Sequence, residues 1–216
     1  MRVLWCAVLL SLFVAVPDAA HAAGRRSFDF DAGLGGLRVA ARDGGGVTLV
    51  PGVSGTAVAF PARCCGRAVL IADGTGLDPG LGRLEYGAHV RLDQGETSAG
   101  SNVLQKGTWS ANSQWKLQID GRAGHPSCAV MGVGSRRMHV AVAPVPVADG
   151  QWHQVTCVRD ADRLSITVDG VMRGSAGVPA GLSISSGAPL RIGGNGLRRG
   201  SDTFHGAVDN LYVAIG

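Results

Sequence analysis

The fold class of this chain is decided by one stretch, Leu84–Asp93, with the sequence LEYGAHVRLD. Apolar and polar residues alternate with period two over its whole length, which is the pattern of a β-strand with one face on a core and the other in water. The same alternation returns at residues 115–120 and 164–169. The pair Asp169-Gly170 that follows is a strong hairpin-turn signal.

Glycine accounts for 34 of the 216 residues, and the glycines separate short apolar clusters instead of massing together. This spacing predicts more than a dozen short strands joined by tight turns. No window beyond the first 22 residues shows a capped helical stripe with a 3.6-residue period. Turns about every ten residues, without a blade-length repeat, favour an all-β fold of two packed antiparallel sheets, a jelly-roll β-sandwich, over a propeller.

Residues 1–22 have the organisation of a secretory signal peptide. One charge at Arg2 precedes an apolar run over residues 3–16, and a small-residue segment of the A-x-A type ends at Ala22. The run is too short to span a bilayer comfortably, and no later segment approaches twenty apolar residues. We therefore predict a secreted, extracellular protein, with one domain at residues 23–216 and no membrane insertion after signal cleavage.

Four of the five cysteines lie beyond this leader: Cys64, Cys65, Cys128 and Cys157. Four thiols in an exported chain predict disulfides and allow three pairings. We favour a bond between Cys128 and Cys157, because each lies inside a strand-like cluster, and it would stabilise the fold by ~3.5 kcal/mol. The adjacent Cys64 and Cys65 either pair with each other or leave one thiol free. A zinc site is disfavoured, because the spacing contains no C-x-x-C and no histidine is grouped with the thiols.

The formal net charge is +4, and two basic pairs, Arg136-Arg137 and Arg198-Arg199, stand in glycine- and serine-rich surroundings. Such pairs are usual on solvated loops. The alternative is a contact for an acidic glycan or a cell-wall polymer. No aromatic residues are interleaved with the basic ones, so nucleic acid is not an expected partner.

Three segments near the carboxyl end follow one another in a characteristic order. DGQWHQVTCVR at Asp149–Arg159 is followed by LSITVDG at Leu164–Gly170, and PLRIGG at Pro189–Gly194 leads to FHGAVDNL at Phe204–Leu211. Together they resemble the laminin-G-like domains of the concanavalin A-like lectin and glucanase superfamily. The segment Tyr86–Cys128 is similar to a secreted bacterial branch of that group. The resemblance implies a curved two-sheet sandwich whose chain ends lie close together.

One aspartate of the last strand is a candidate metal ligand. By strict alternation Asp209 shares the parity of Ala207 and Leu211, so its carboxylate is expected on an apolar row, where it needs a partner. The resemblance implies that it helps to hold one structural calcium ion, with backbone carbonyls as further ligands and with Asp29 and Asp31 nearby. Hydrogen bonds from loop amides or an arginine are the alternative.

The glucanases of this superfamily place carboxylates alternately on one strand, because glycoside hydrolysis needs an acid and a nucleophile about 5 Å apart. This chain has no E-x-D-x-E run, and its only glutamates are Glu85 and Glu96. It also has no G-x-S-x-G elbow and no P-loop. The sequence therefore predicts a protein that is not an enzyme.

Among the tryptophans, Trp109 stands in a polar loop and is the predicted ligand contact, since sugar binding is expected to use an exposed aromatic side chain. Partial burial of Trp109 under the loop is the alternative. Trp115 falls on the apolar parity of its strand, which predicts a core position. We expect a secreted, non-catalytic binding module that recognises an extracellular glycan or protein. The alternatives are a glycoside hydrolase-related enzyme of the same fold and a purely structural envelope protein.

Overall fold

The computed structural model describes residues 24–216, so the predicted signal peptide lies outside the described residues. Fifteen strands and two short 3₁₀ helices, Gln94–Glu96 and Trp109–Ala111, make up the regular structure of this part of the chain. None of its helices is long and apolar enough to cross a membrane. The strands are β1 (Gly24–Phe28), β2 (Arg38–Arg42), β3 (Thr48–Pro51), β4 (Thr56–Ala59), β5 (Arg67–Ala72), β6 (Leu84–Asp93), β7 (Asn102–Thr108), β8 (Ser113–Asp120), β9 (His125–Met131), β10 (His139–Val142), β11 (Asp149–Asp160), β12 (Arg163–Val168), β13 (Val171–Gly177), β14 (Leu190–Ile192) and β15 (Ala207–Ile215).

The strands form two antiparallel sheets. One sheet has eight strands, in the order β13-β12-β11-β6-β15-β4-β3, with β1 also paired to β15. The other has seven strands, in the order β10-β9-β8-β7-β14-β5-β2. Strands that are distant in sequence are neighbours in both sheets, as in a jelly-roll sandwich. The prediction of an all-β, two-sheet antiparallel fold is therefore confirmed.

The core lies between the two sheets and is built by the alternating residues. Tyr86 and Val90 of the central strand β6, Leu117 of β8 and Ile166 of β12 are all fully buried. They belong to one continuous apolar cluster with residues from both sheets. The period-two pattern that predicted strands thus also identifies the inward side of each layer.

A disulfide between Cys128 and Cys157 connects the two layers. Cys128 lies in β9 of the seven-stranded sheet and Cys157 in β11 of the eight-stranded sheet, with their Cα atoms 5.7 Å apart. Both residues are fully buried in the core cluster. The bond therefore ties the sheets together across the sandwich.

The two ends of the described chain lie side by side. β1 pairs with β15 in antiparallel register, with Gly24 opposite Ile215 and Phe28 opposite Leu211. Both strands belong to the eight-stranded sheet. The chain ends therefore meet on that layer, as the resemblance implied.

Candidate binding face

The outer face of the seven-stranded sheet is the candidate functional site. In β8, Trp115, Leu117 and Ile119 belong to the core cluster, so the residues between them point away from the other sheet. The cross-strand register extends this outward row into the neighbouring strands. The row includes the apolar Ala129 and Met131 of β9. Eight of its polar side chains are called the polar face from here on: Asn102, Gln105, Gln114, Lys116, Gln118, Asp120, Ser127 and Arg191.

Three amides form one hydrogen-bonded chain on the polar face. Asn102 Nδ2 donates to Gln105 Oε1 at 2.6 Å. Gln105 Nε2 donates in turn to Gln114 Oε1 at 3.1 Å and to the Gly107 carbonyl at 2.8 Å. All three side chains are buried. Because each fixes the orientation of the next, this part of the face is held in one arrangement.

Asp120 is the centre of a second group on the same face. Its Oδ2 accepts hydrogen bonds from Gln118 Nε2 and, at 3.1 Å, from Ser127 Oγ. Burial raises the pKa of the Asp120 carboxyl, while those two hydrogen bonds, the charge of Lys116 and the backbone amide of Ser101 oppose the rise. The carboxylate therefore lies in surroundings that hold it in place but solvate it poorly.

The polar face keeps unused hydrogen-bonding capacity. Asn102 Oδ1, Asp120 Oδ1 and Arg191 Nη1 are buried atoms that find no hydrogen-bond partner within residues 24–216. Only two other side-chain atoms of the described chain share this condition, His89 Nδ1 and Arg159 Nε. Buried polar groups in proteins nearly always have a partner. Three of the five such atoms in the described chain thus lie on this one face.

The charge of this sheet's outer side is predominantly positive. Asp120 is the only carboxylate among its outward-pointing strand residues in the described chain. The cross-strand register places five cationic side chains on the same side: Arg38, Arg42, Arg67, Lys116 and Arg191.

Trp109, the predicted contact residue, lies at the tip of the β7–β8 hairpin that carries Gln105 and Gln114. Its side chain is 54% exposed. The turn is fixed by a hydrogen bond of 3.2 Å from the Ala111 amide to Thr108 Oγ1. Trp109 is thus available to a ligand beside the polar face, and its role as a contact stays a prediction.

Asp209 lies on the eight-stranded sheet and is not brought together with Trp109. The expectation that it shares an apolar row is wrong. Asp209 pairs with the outward-pointing His89, and a β-bulge between Asp209 and Tyr212 then reverses the parity. Asn210, within the bulge, has a left-handed backbone with φ of 46°. Strict alternation fails here because the bulge inserts residues that have no partner on β6.

Hydrogen bonds explain how the Asp209 carboxylate is accommodated, although it is fully buried. Oδ2 accepts the Val53 amide at 2.8 Å and Oδ1 accepts the Asn210 amide at 2.7 Å. Asp31 Oδ1 binds the Thr56 amide at 2.7 Å, so the two aspartates hold the same β3–β4 turn. No group of three or more His, Cys, Asp or Glu side chains in residues 24–216 has the geometry of a metal site. These side chains do not form a calcium coordination shell, and calcium at Asp209 stays a prediction.

The outer face of the eight-stranded sheet has a different character. Arg91 stacks over the Trp152 ring at 4.9 Å, and Arg25 over the Tyr212 ring at 4.1 Å. The Tyr212 hydroxyl donates to Glu85 Oε1 at 2.9 Å. On this face polar and aromatic side chains are paired with one another.

A histidine near the start of β11, an internal strand of this same sheet, links two turns. His153 Nδ1 lies 2.8 Å from Asp169 Oδ2, and Nε2 lies 3.1 Å from Asp149 Oδ1. Burial lowers the pKa of His153, but the two carboxylates raise it more, so the net pKa lies above its ordinary value. When His153 is protonated, it forms ion pairs with Asp149 and Asp169. These three residues are called the His153 staple from here on.

The two glutamates do not form a glycosidase pair. Glu85 lies near the start of β6 and is bound by Tyr212 and by Arg83 Nη2 at 2.6 Å. Glu96 lies beyond the other end of β6 and accepts the Arg63 amide at 2.6 Å. The strand between them places them roughly 25 Å or more apart, against about 5 to 10 Å in glycosidases. They cannot act together on one glycosidic bond.

Sequence reasoning selected Trp109 and Asp209 and missed the polar face. The signal was present in residues 114–120, where the alternation that identified the inner row also defines an outer row of Gln, Lys, Gln and Asp. The contribution of Arg191 was not accessible in this way. It reaches the same face only through the pairing of β14 with β7, strands more than 80 residues apart in sequence.

The two antiparallel sheets define a jelly-roll β-sandwich of the concanavalin A-like type. A laminin-G family model, described as concanavalin A-like lectin/glucanases superfamily, matches residues 86–214. Since the match covers more than half of the chain, the protein belongs to this family. A search of curated proteins finds no matching sequence.

Solved structures show the same fold at low sequence identity. Domain 4 of AbnA, an extracellular GH43 arabinanase from Geobacillus stearothermophilus in complex with arabinotriose, matches with a TM-score of 0.67 and 16% identity, covering 88% of this chain and 91% of that domain. The binding domain of botulinum neurotoxin DC in complex with SialylT matches with a TM-score of 0.56 and 12% identity, covering 82% of this chain and 42% of that chain. Mouse laminin α1 domains LG4-5 match with a TM-score of 0.50 and 15% identity, covering 66% of this chain and 39% of that chain. The chain thus spans less than half of the toxin and laminin chains that it matches.

Proposed function

We propose that this protein is a non-catalytic module that binds a glycan through the polar face. The observation that carries the proposal is the row of outward-pointing polar side chains on one sheet face, in which the half-buried Gln118 and Arg191 lie beside a fixed chain of amides. Sugar hydroxyls both donate and accept hydrogen bonds, so they match the amide, carboxylate and guanidinium groups of this row. Hydrogen bonds within the row already hold several of these groups in place, so binding requires little further ordering of them.

The structural relatives support a binding role and not a particular ligand. The AbnA domain is in complex with arabinotriose and the neurotoxin domain with SialylT, both of them saccharide ligands. This chain covers nearly the whole AbnA domain. An arabino-oligosaccharide is therefore the first neutral glycan to use as a probe.

Secretion is part of the same proposal. The organisation of residues 1–22 is that of a signal peptide, and the two disulfides of the described chain are typical of an oxidising compartment. The sequence of the mature amino terminus, determined on protein recovered from culture medium, tests cleavage after Ala22. Recovery of the protein only from the cell interior would contradict it.

Binding is tested on an array of neutral and acidic oligosaccharides that includes arabinotriose, followed by calorimetry on the best ligand. A double variant, Gln118→Ala with Arg191→Met, should weaken binding at least tenfold. The matched control is Gln154→Ala with Arg173→Met, which removes the same two residue types from the eight-stranded sheet and should leave the affinity unchanged.

Two outcomes would overturn the proposal. Equal losses in the two double variants would mean that the polar face does not hold the ligand. A wild-type protein that binds no glycan on the array would favour the structural-protein alternative. Release of reducing sugar from a polysaccharide panel would instead restore the enzyme alternative.

A further inference from the structure

Two cavities beside the polar face share a wall of arginines. Each has a volume of ≈ 350 Å³. Both are lined by Arg67 of β5 and by Arg199 of the loop that follows β14. Their other arginines are Arg63 in one cavity, and Arg42 and Arg198 in the other. These five residues, Arg42, Arg63, Arg67, Arg198 and Arg199, are called the arginine pocket from here on.

The positive charge of the arginine pocket is only partly balanced. Its walls contain two carboxylates, Asp43 and Asp202, against five guanidinium groups. Asp43 is paired with Arg67, and it lies 3.9 Å from Arg42. Arg198 and Arg199 are exposed and make no ion pair or side-chain hydrogen bond with any residue that the structure describes. Their guanidinium donors are therefore free for an external anion.

The framework of the pocket is nevertheless well fixed. Arg67 Nε donates to the Leu197 carbonyl at 2.9 Å, which attaches the loop bearing Arg198 and Arg199 to the sheet. Arg63 Nη1 donates to the Thr97 carbonyl at 3.0 Å. The Asn102 amide donates to the Asp202 carbonyl at 2.8 Å, and this bond makes the pocket continuous with the polar face.

A disulfide between adjacent residues lies between two of these arginines. Cys64 and Cys65 are bonded to each other, and both are exposed. The pairing that the sequence left open is thus of neighbours in the structure. The Cys65 amide donates to the Ala62 carbonyl at 2.8 Å. The ring therefore lies at the surface between Arg63 and Arg67, although neither cysteine lines a cavity wall.

This combination matches one ligand chemistry. A carboxylate accepts paired hydrogen bonds from guanidinium groups, and the C–H face of a sugar ring packs on an apolar, polarisable surface such as the Cys64–Cys65 sulfurs. Neither cavity wall contains a Phe, Tyr or Trp side chain on which a nucleic-acid base would stack. An acidic sugar therefore fits better than a nucleic acid.

We propose that the arginine pocket binds the carboxylate groups of an acidic polysaccharide, with the sugar ring against the Cys64–Cys65 disulfide. The inference rests on the proposed function in so far as the ligand is a glycan. It adds the chemical class of that glycan and a second subsite at the end of the polar face. The polymer chain runs from the polar face, which binds hydroxyls, to the arginine pocket, which binds a carboxylate.

The probe is polygalacturonate, with its methyl-esterified form and arabinotriose as uncharged references. The double variant Arg198→Ala with Arg199→Ala should weaken polygalacturonate binding at least tenfold at about 0.15 M salt, where unpaired surface charges are already partly screened. The double variant Arg136→Ala with Arg137→Ala removes the same charge from an exposed pair elsewhere. It should change the affinity less than twofold.

A second pair of variants tests the sulfur surface without a change of charge. Cys64→Ser with Cys65→Ser should weaken polygalacturonate binding several-fold while the circular dichroism spectrum stays that of the wild type. Wild-type protein should bind methyl-esterified polymer at least tenfold more weakly than the acid form. Unaltered affinity in the cysteine variant would remove the disulfide from the site.

The outcomes separate this inference from the proposed function. Equal losses in the two arginine double variants, or equally tight binding of a DNA oligonucleotide or of anionic phospholipid vesicles, would overturn the acidic-glycan assignment. If the polar-face variant abolishes binding of arabinotriose while polygalacturonate shows no dependence on Arg198 and Arg199, the proposed function stands and this inference fails. If only the arginine variants matter, the inference stands and the polar face is the wrong site.

Discussion

The outer faces of the two sheets differ in how their polar groups are satisfied. On the outer face of the eight-stranded sheet, Arg91 stacks on Trp152 and Tyr212 binds Glu85, and His89 Nδ1 is the one buried unpaired side-chain atom of this outer face in the described chain. The seven-stranded sheet has three such atoms and only one outward carboxylate on its strands. A face that satisfies itself contributes to stability. The face with unused donors and acceptors is the one through which we propose that a ligand binds, and the following predictions test that division.

Both faces exist only while the sheets stay packed, so the largest effect is expected from the disulfide between the sheets. Removal of the bond in Cys128→Ala with Cys157→Ala should lower the free energy of unfolding by about 3–4 kcal/mol, because the bond closes a long loop in the unfolded chain. Urea denaturation measures the change. The control is Cys64→Ser with Cys65→Ser, which opens a ring of adjacent residues and should cost less than about 1 kcal/mol. Similar losses in the two variants would contradict the loop-closure explanation.

Asp209 tests whether the eight-stranded sheet depends on its own hydrogen bonds. The Asp209 carboxylate now accepts hydrogen bonds from two backbone amides, and Asp209→Asn would place an amide donor against one of them. We therefore expect the free energy of unfolding, measured by urea denaturation, to fall by about 2 kcal/mol. Asp31→Asn is the partly matched comparison, since Asp31 holds the same turn from an exposed position. It should cost less.

The same residue offers the test for calcium. A calcium ion held only by the folded state would raise the melting temperature of the wild type above its value in a chelator. That rise should be lost in Asp209→Asn. An equal melting temperature under both conditions would leave the two amide hydrogen bonds as the whole explanation of the buried carboxylate.

The His153 staple predicts a pH dependence on the eight-stranded sheet alone. The pKa of His153 is raised, so its contribution is complete below the unfolded-state value of about 6.5 and is lost as the pH rises through the folded-state pKa. The pKa values of Asp149 and Asp169 are lowered, so their contribution is lost as the pH falls below about 4. The staple therefore stabilises most between roughly pH 4 and 6.5.

The variant His153→Gln keeps a hydrogen-bonding side chain without the charge. Its melting temperature should differ from that of the wild type most at about pH 5.5. The corresponding loss in the free energy of unfolding should be only about 0.5–1 kcal/mol, because both aspartates are half-exposed. The difference should shrink above pH 8. A difference in melting temperature that grows with rising pH would show that protonated His153 is not the form that stabilises the fold.

The smallest effect on stability is expected on the polar face. Arg191→Met keeps the apolar stem of a side chain whose buried Nη1 has no partner in the described residues, so unfolding should change by less than about 0.5 kcal/mol. Binding should nevertheless weaken. A large loss of stability would mean that Arg191 is structural, and it would remove the contrast between the two faces.

Most of the fold could be read from the sequence, because burial on one side leaves a period-two pattern in each long strand. β6 and β8 follow it closely, and Trp115 is buried as its parity predicts. β2, with the sequence RVAAR at the edge of the sheet, has no such pattern and was not predicted. Local bulges, such as the one at Asn210, are likewise invisible to alternation and were the reason that Asp209 was assigned to the wrong row.

The candidate site was harder to predict, because it depends on which strands become neighbours. Gln105 and Arg191 share a face only after β14 is inserted between β5 and β7. The arginine pocket joins a loop near residue 198 to a segment near residue 65 for the same reason. Local sequence patterns specify the face on which a residue lies, whereas the partners on that face are set by the topology of the whole sandwich.

The pairing of Gly24 with Ile215 determines the sheet from which a tether on the domain starts. Both strands lie in the eight-stranded sheet, so a tether attached at Gly24 or Ile215 starts from the layer that does not carry the polar face. Immobilisation on a sensor surface through either of these strand ends therefore attaches the domain by the sheet opposite the one proposed to bind.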